Sequence, residues 1–97
     1  MTATLGIFGA PTSAASYAPG QEKAPRALRE AGLLDSLAKA GIAVADHGDL
    51  PVWRWRPDLT NRRAQNLDAT VDYVRRTQAG VGSIVAKDQI PLVLGGN

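Results

Sequence analysis

Pro91-Leu92-Val93-Leu94-Gly95-Gly96-Asn97 is the stretch whose reading decides the fold. Proline lacks a backbone donor and is placed to begin a strand, three branched aliphatics follow, and two glycines then free the backbone for a tight loop. Such a run is a buried parallel strand, predicted over Ile90–Leu94, and in open α/β sheets ligands bind beyond the C-terminal ends of the strands.

Working back from it, the long helix that feeds this strand is predicted to start at a cap on Asn61. Leu67, Val71, Val74, Val81, Ile84 and Val85 recur every three or four positions and give it an apolar stripe. Gly80 and Gly82 weaken its middle by about 1 kcal/mol each relative to alanine, so a kink or close packing is expected there. Val52 to Asn61 is irregular, bracketed by prolines, with Trp53 and Trp55 flanking Arg54 as a surface excursion covering something apolar. Before it, Ile42, Val44 and Asp46 form a second strand, and His47-Gly48-Asp49-Leu50-Pro51 reads as a turn leaving it.

Thr2 to Pro11 reads as the first strand, carried by Leu5, Ile7 and Phe8, and Thr12 to Gly20 as a loop of small and polar residues around Tyr17. A helix then begins near Pro25, with Glu22 favouring its N-terminus and Ala27, Leu28 and Ala31 as its inward face. Gly32 interrupts it, Leu33, Leu34, Leu37 and Ala38 continue it, and Gly41 stops it. The order strand, helix, strand, helix, strand is half of a doubly wound α/β structure, and each crossover should be right-handed.

Composition narrows the function classes. At 97 residues the chain is one small domain or part of one, and 44% hydrophobic with 21% charged residues is ordinary for a folded protein. No apolar run approaches the roughly 20 residues of a membrane span, and no leader-like segment follows Met1, so a cytoplasmic protein is expected. A net charge of +2, with arginines paired as Arg62-Arg63 and Arg75-Arg76, forms no basic stripe and points away from nucleic acid. Without cysteine there is neither a disulfide nor a thiolate metal site. His47 is the lone histidine, and with Asp49 it reads as a hydrogen-bonded turn more readily than as a ligand pair. Asp46, Asp49, Glu22 and Glu30 suggest no paired carboxylates, and Ser13 and Ser16 have no base at an evident spacing.

The pattern as a whole resembles the ureohydrolases, the arginase and agmatinase family, over nearly the full chain matched to the N-terminal third of that family. The resemblance is carried by Gly6-Ile7-Phe8-Gly9-Ala10-Pro11, by Gly20 to Arg29 with Gly32-Leu33-Leu34 after it, by Gly48-Asp49-Leu50-Pro51, and by Pro91 to Gly96. It implies a three-layer α/β domain around a parallel sheet, of which residues 1–97 supply the first three strands, in the order second, first, third, and the flanking helices. It also implies a hydrolase of non-peptide C–N bonds, guanidino or amide, in which two manganese ions activate a hydroxide. The family's third strand ends in Gly-Gly-Asp-His-Ser, whose histidine is the first metal ligand. Gly95 and Gly96 match, Asn97 stands in place of the aspartate, and no ligand position of the family is present.

By that resemblance the chain is not active alone. It is expected to pair with a second polypeptide, or a further segment, that completes the sheet, to oligomerise, and to serve a small amidine or amide substrate. Gly95, Gly96 and Asn97 at the strand end, and Thr12, Ser13 and Tyr17 in the neighbouring loop, are the candidate substrate-side residues. Two alternatives remain open. Asn97 can mark self-cleavage before a cysteine, serine or threonine that becomes an N-terminal nucleophile for metal-free amide chemistry, or the chain is a non-catalytic scaffold docking through its open sheet edge.

Overall fold

The computed structural model describes residues 3–96. Asn97, proposed above as a processing site, lies outside the described residues. The elements run β1 (Thr4–Ala10), a 3-10 turn (Gln21–Lys23), α1 (Ala24–Glu30), α2 (Leu33–Lys39), β2 (Ala43–Asp49), α3 (Leu67–Ala86) and β3 (Ile90–Gly95). The three strands form one parallel sheet in the order β2-β1-β3, as the resemblance implied.

The alternation of β1 builds the two outer layers. Gly6 and Phe8 face α3: a Cβ on Gly6 would come within 2.5 Å of Ile84, and one on Gly80 within 2.5 Å of the Phe8 ring. Gly9 faces the other way, toward Pro25 of α1. Ile7 shares that face by the strand period of two and is fully buried. The core is thus thin, with Ile7, Phe8, Ile84 and Leu94 at its centre. Gly80 provides close packing, since any side chain there would displace the Phe8 ring.

Four expectations need correction. The helix before β3 starts at Leu67 with Asn66 as its N-cap, five residues later than the predicted cap at Asn61. Local hydrogen bonds hold the intervening residues in a turn instead. Asp58 accepts from the Thr60 and Asn61 backbone through Oδ1 and from Asn66 N through Oδ2, and Gln65 bonds both backbone groups of Asp58.

The inward face of α1 is not Ala27, Leu28 and Ala31, which are exposed. Glu22, Pro25 and Arg29, one face at helical spacing, turn inward, because Glu22 and Arg29 find hydrogen-bonding partners there. The apolar stripe of α3 is displaced in the same manner. Tyr73 and Ile84 are buried and Thr77 and Gly80 half-buried, whereas Leu67, Val71, Val74 and Val85 stand 40 to 61% exposed along one flank. Contact through Gly80 draws the helix onto Phe8 and leaves the valines beside the contact.

Finally, His47, Gly48 and Asp49 belong to β2 rather than to a turn. Ile7 pairs with Asp46 and Gly9 with Asp49, so three steps on β2 oppose two on β1. Gly48, at φ 78°, supplies the left-handed conformation of this bulge.

Candidate functional site at the C-terminal edge of the sheet

Past the end of β1 the chain remains tied to the segment that leaves β2. Leu50 N donates to Gly9 O, Trp53 N to Pro11 O, and Ser13 N to Trp53 O, each at 3.0 Å, with a parallel bridge between Thr12 and Trp53. The tryptophan segment therefore extends the β1–β2 pairing as an irregular strand. Trp53 and Trp55 are half-buried, and Arg56 lies over the Trp53 ring at 5.1 Å from its centroid.

Ser13, fully buried, is the hub of this edge. Its hydroxyl donates to Glu22 Oε1 at 2.9 Å and accepts from Trp55 N at 2.7 Å. The same carboxylate takes the Gly20 N–H at 2.7 and 3.1 Å, closing the Thr12–Gly20 loop on itself. Burial favours the protonated form of Glu22, but the Gly20 N–H, the Ser13 hydroxyl and the charge of Arg54 outweigh it and hold the carboxyl below the usual range. A serine without solvent access, whose hydroxyl is bonded on both sides, is a fastening of the loop and offers no nucleophile to a substrate.

The other candidate residues separate. Tyr17 points into solvent, 93% exposed. Thr12, Gly95 and Gly96 come together, and Gly96 lies so close to the backbone of Ala10 and Thr12 that no side chain fits. They border a groove of about 480 Å³ between α3 and the ends of β1 and β3, whose remaining walls include Ala10, Ala14, Val74 and Val81. Its back carries Tyr73, whose hydroxyl donates to Pro51 O at 2.7 Å, and Thr77, which donates to Tyr73 O at 2.8 Å. Thr70 Oγ1, by contrast, is buried without a partner among the described residues. The other walls are mostly hydrocarbon, with the exposed Gln78 amide among them, so a guanidinium entering would shed water for few acceptors.

Sequence reasoning missed a charged cluster on the opposite face. Arg29 donates through Nη2 to Asp46 Oδ1 at 2.8 Å and through Nε to Asp46 Oδ2 at 3.2 Å, and Nη1 bonds Asp49 Oδ1. The fork on Arg29 holds the Asp46 carboxyl below its ordinary value. Residues three apart on a strand ordinarily point to opposite faces, and only the bulge at Gly48 lets both aspartates meet one guanidinium. The helical spacing of Glu22, Pro25 and Arg29 was the available signal for the α1 half of this arrangement. His47 is occupied elsewhere, its Nε2 lying 2.6 Å from Gln89 Oε1. Among the described residues no three His, Cys, Asp or Glu side chains gather as a metal site, so manganese has no donor set there. No helix among them is long and apolar enough to cross a membrane.

Comparison with known proteins gives one consistent result. The model of the arginase family matches residues 3–97. Arginase-1 of Mus musculus is 38% identical over 95 residues, covering 97% of this chain and 29% of its own length. The Homo sapiens Arginase-1 is 34% identical over 94 residues, with 97% and 29% covered. Crystal structures of arginase superpose with TM-scores of 0.79 for Bacillus cereus, at 25% identity over 99% of this chain and 31% of that one, and 0.76 for Bacillus subtilis, at 27% identity over 97% and 30%. The chain thus spans about 30% of the relatives it matches.

Proposed function

The chain belongs to the arginase family, and from that premise we propose that it is the N-terminal portion or subunit of a ureohydrolase-like enzyme acting on guanidino or amide C–N bonds. It contributes the first three strands of the sheet and works only in company with the remainder of the domain. The observation that carries this reading is the state of β3: the strand lies at the edge of the sheet in the order β2-β1-β3, with Ile90 51% exposed and Val93 39% exposed. An apolar, unpaired strand edge of this kind favours a further strand beside it.

The described residues supply framework and no donor set, so any metal chemistry belongs to residues outside them. What they do is hold the strand-end loops: Glu22 and Ser13 fasten the loop after β1, and the bulge at Gly48 with Arg29 fixes the end of β2.

The test is an assay of urea or ammonia release with manganese supplied, using guanidino and amide compounds, with arginine included on account of the relatives' name. The chain alone should be inert and its assembly with the remainder of an arginase-type domain active. Turnover by the isolated chain, or none by an assembly of verified fold, would overturn the reading.

A further inference from the structure

We infer that the cleft between the outer face of α1 and the strand-like segment after β2 is a binding site for a small organic anion, a phosphate or a carboxylate, held by Lys23, Arg26 and Arg54. The inference goes beyond the reading above, because the cleft shares no lining residue with the groove beside α3.

Two local regularities bring the three cations together. Lys23, Arg26, Ala27 and Glu30 are spaced three and four apart, so they share one helical face, next to the inward face of Glu22, Pro25 and Arg29. Val52 and Arg54 are two apart on an extended segment that the Trp53 backbone ties to Pro11 and Ser13. Both therefore line the cleft against α1, while Trp53 between them lies beside the start of α3. The result is a cleft of about 440 Å³ with cations on both walls.

The charges in it are unbalanced. Lys23 and Arg54 are exposed and enter no ion pair among the described residues. Arg26 gives its Nε to Glu30 at 2.9 Å and commits neither Nη group among them. Glu22, the other carboxylate of the lining, is 3% exposed and has spent its oxygens on the Ser13 hydroxyl and the Gly20 N–H. Three cations thus face one accessible carboxylate, and like charges lining one cleft repel until an anion sits among them. Two guanidinium forks and an ammonium suit the oxygens of a phosphate or carboxylate. Ala27 and the exposed Val52 give a short hydrocarbon body a place to lie.

The experiment titrates the isotope-labelled full chain with inorganic phosphate, with succinate and with uncharged glycerol at constant ionic strength, and follows the backbone and arginine Nε–H resonances by NMR. Saturable shifts confined to residues of the cleft are expected with phosphate, succinate or both, and none with glycerol; the anion that saturates names the group. Lys23→Gln and Arg54→Gln should each weaken binding about fivefold, whereas Glu30→Gln, which releases Arg26, should tighten it about twofold. Arg62→Gln, at an exposed position outside the cleft, should change nothing. No saturation by either anion, shifts spread equally over Arg62, Arg63, Arg75 and Arg76, or weaker binding by Glu30→Gln would overturn the inference. An assembly that turns over its substrate while the cleft takes up neither anion would sink this site and leave the catalytic reading standing.

Discussion

Ser13 and Glu22, nine residues apart, form a buried hydrogen bond of 2.9 Å that closes the loop after β1 against the turn before α1. The loop beyond a parallel strand is where such a fold places its chemistry, and here its geometry depends on this pair and on the Trp55 N–H that Ser13 also accepts. Ser13→Ala should remove both contacts and leave Trp55 N unpaired, lowering unfolding free energy by about 1 to 3 kcal/mol. Urea titration at neutral pH measures it, and an unchanged midpoint would show that the loop is fastened by other contacts.

Glu22 adds a pH dependence. Its pKa is lower folded than unfolded, so its contribution is complete above the unfolded value of about 4.5 and is lost as pH falls through the folded value. Glu22→Gln should flatten the acid limb of stability against pH. A limb equally steep in the variant would assign it to Asp46 and Asp58, whose carboxyls are also held low, by Arg29 and by the Thr60 hydroxyl respectively.

Gly80 and Gly82 should respond oppositely to alanine. A Cβ at Gly80 meets the Phe8 ring at 2.5 Å, so Gly80→Ala should cost about 1 to 3 kcal/mol through overpacking. Gly82 has nothing within 4 Å of a Cβ, and Gly82→Ala should gain up to about 1 kcal/mol from helix propensity. Thermal melts of the two variants decide it, and shifts of the same sign would contradict the packing of α3.

Arg29 joins α1 to both aspartates of the bulged β2. Arg29→Lys keeps the charge and loses the fork, and should cost about 1 kcal/mol, with Arg29→Ala costing about 1 to 2 kcal/mol after allowance for partial solvent exposure. Because Asp46 is lower in the fold than its unfolded 3.8, the Arg29→Ala penalty should be present at neutral pH and shrink on acidification. A penalty independent of pH would mean that Arg29 acts by packing alone.

Tyr73 governs the alkaline side. Burial, helped by the negative charge of Asp49, pushes its phenol up to about 12, above the ordinary 10.0. The fold retains a proton that the unfolded chain releases, so stability should fall between pH 10 and 12. Tyr73→Phe should abolish this decline and cost about 1 kcal/mol at neutral pH by freeing Pro51 O.

Much of the framework was legible in the sequence because it follows from local chemistry. Pro91 with its aliphatic run and two glycines marks a buried strand and its exit; Gly32 and Gly41 break and end the helices after β1; and the alternation of elements implies the layers. These signals are carried by residues close together in the chain, and a backbone that cannot adopt the required angles excludes the alternatives. What only the tertiary structure decided is which neighbours those elements use. Asp46 and Asp49 share a face because Gly48 absorbs an extra residue against β1, a pairing set by a partner strand some 40 positions away. Val71 and Val74 are left exposed because Gly80 meets Phe8, and hydrophobic periodicity alone does not specify which flank of a helix touches the sheet. Ser13, a candidate for substrate, proved to be bonded to a buried carboxylate, since the chain must satisfy its interior polar groups wherever the fold happens to bring them together.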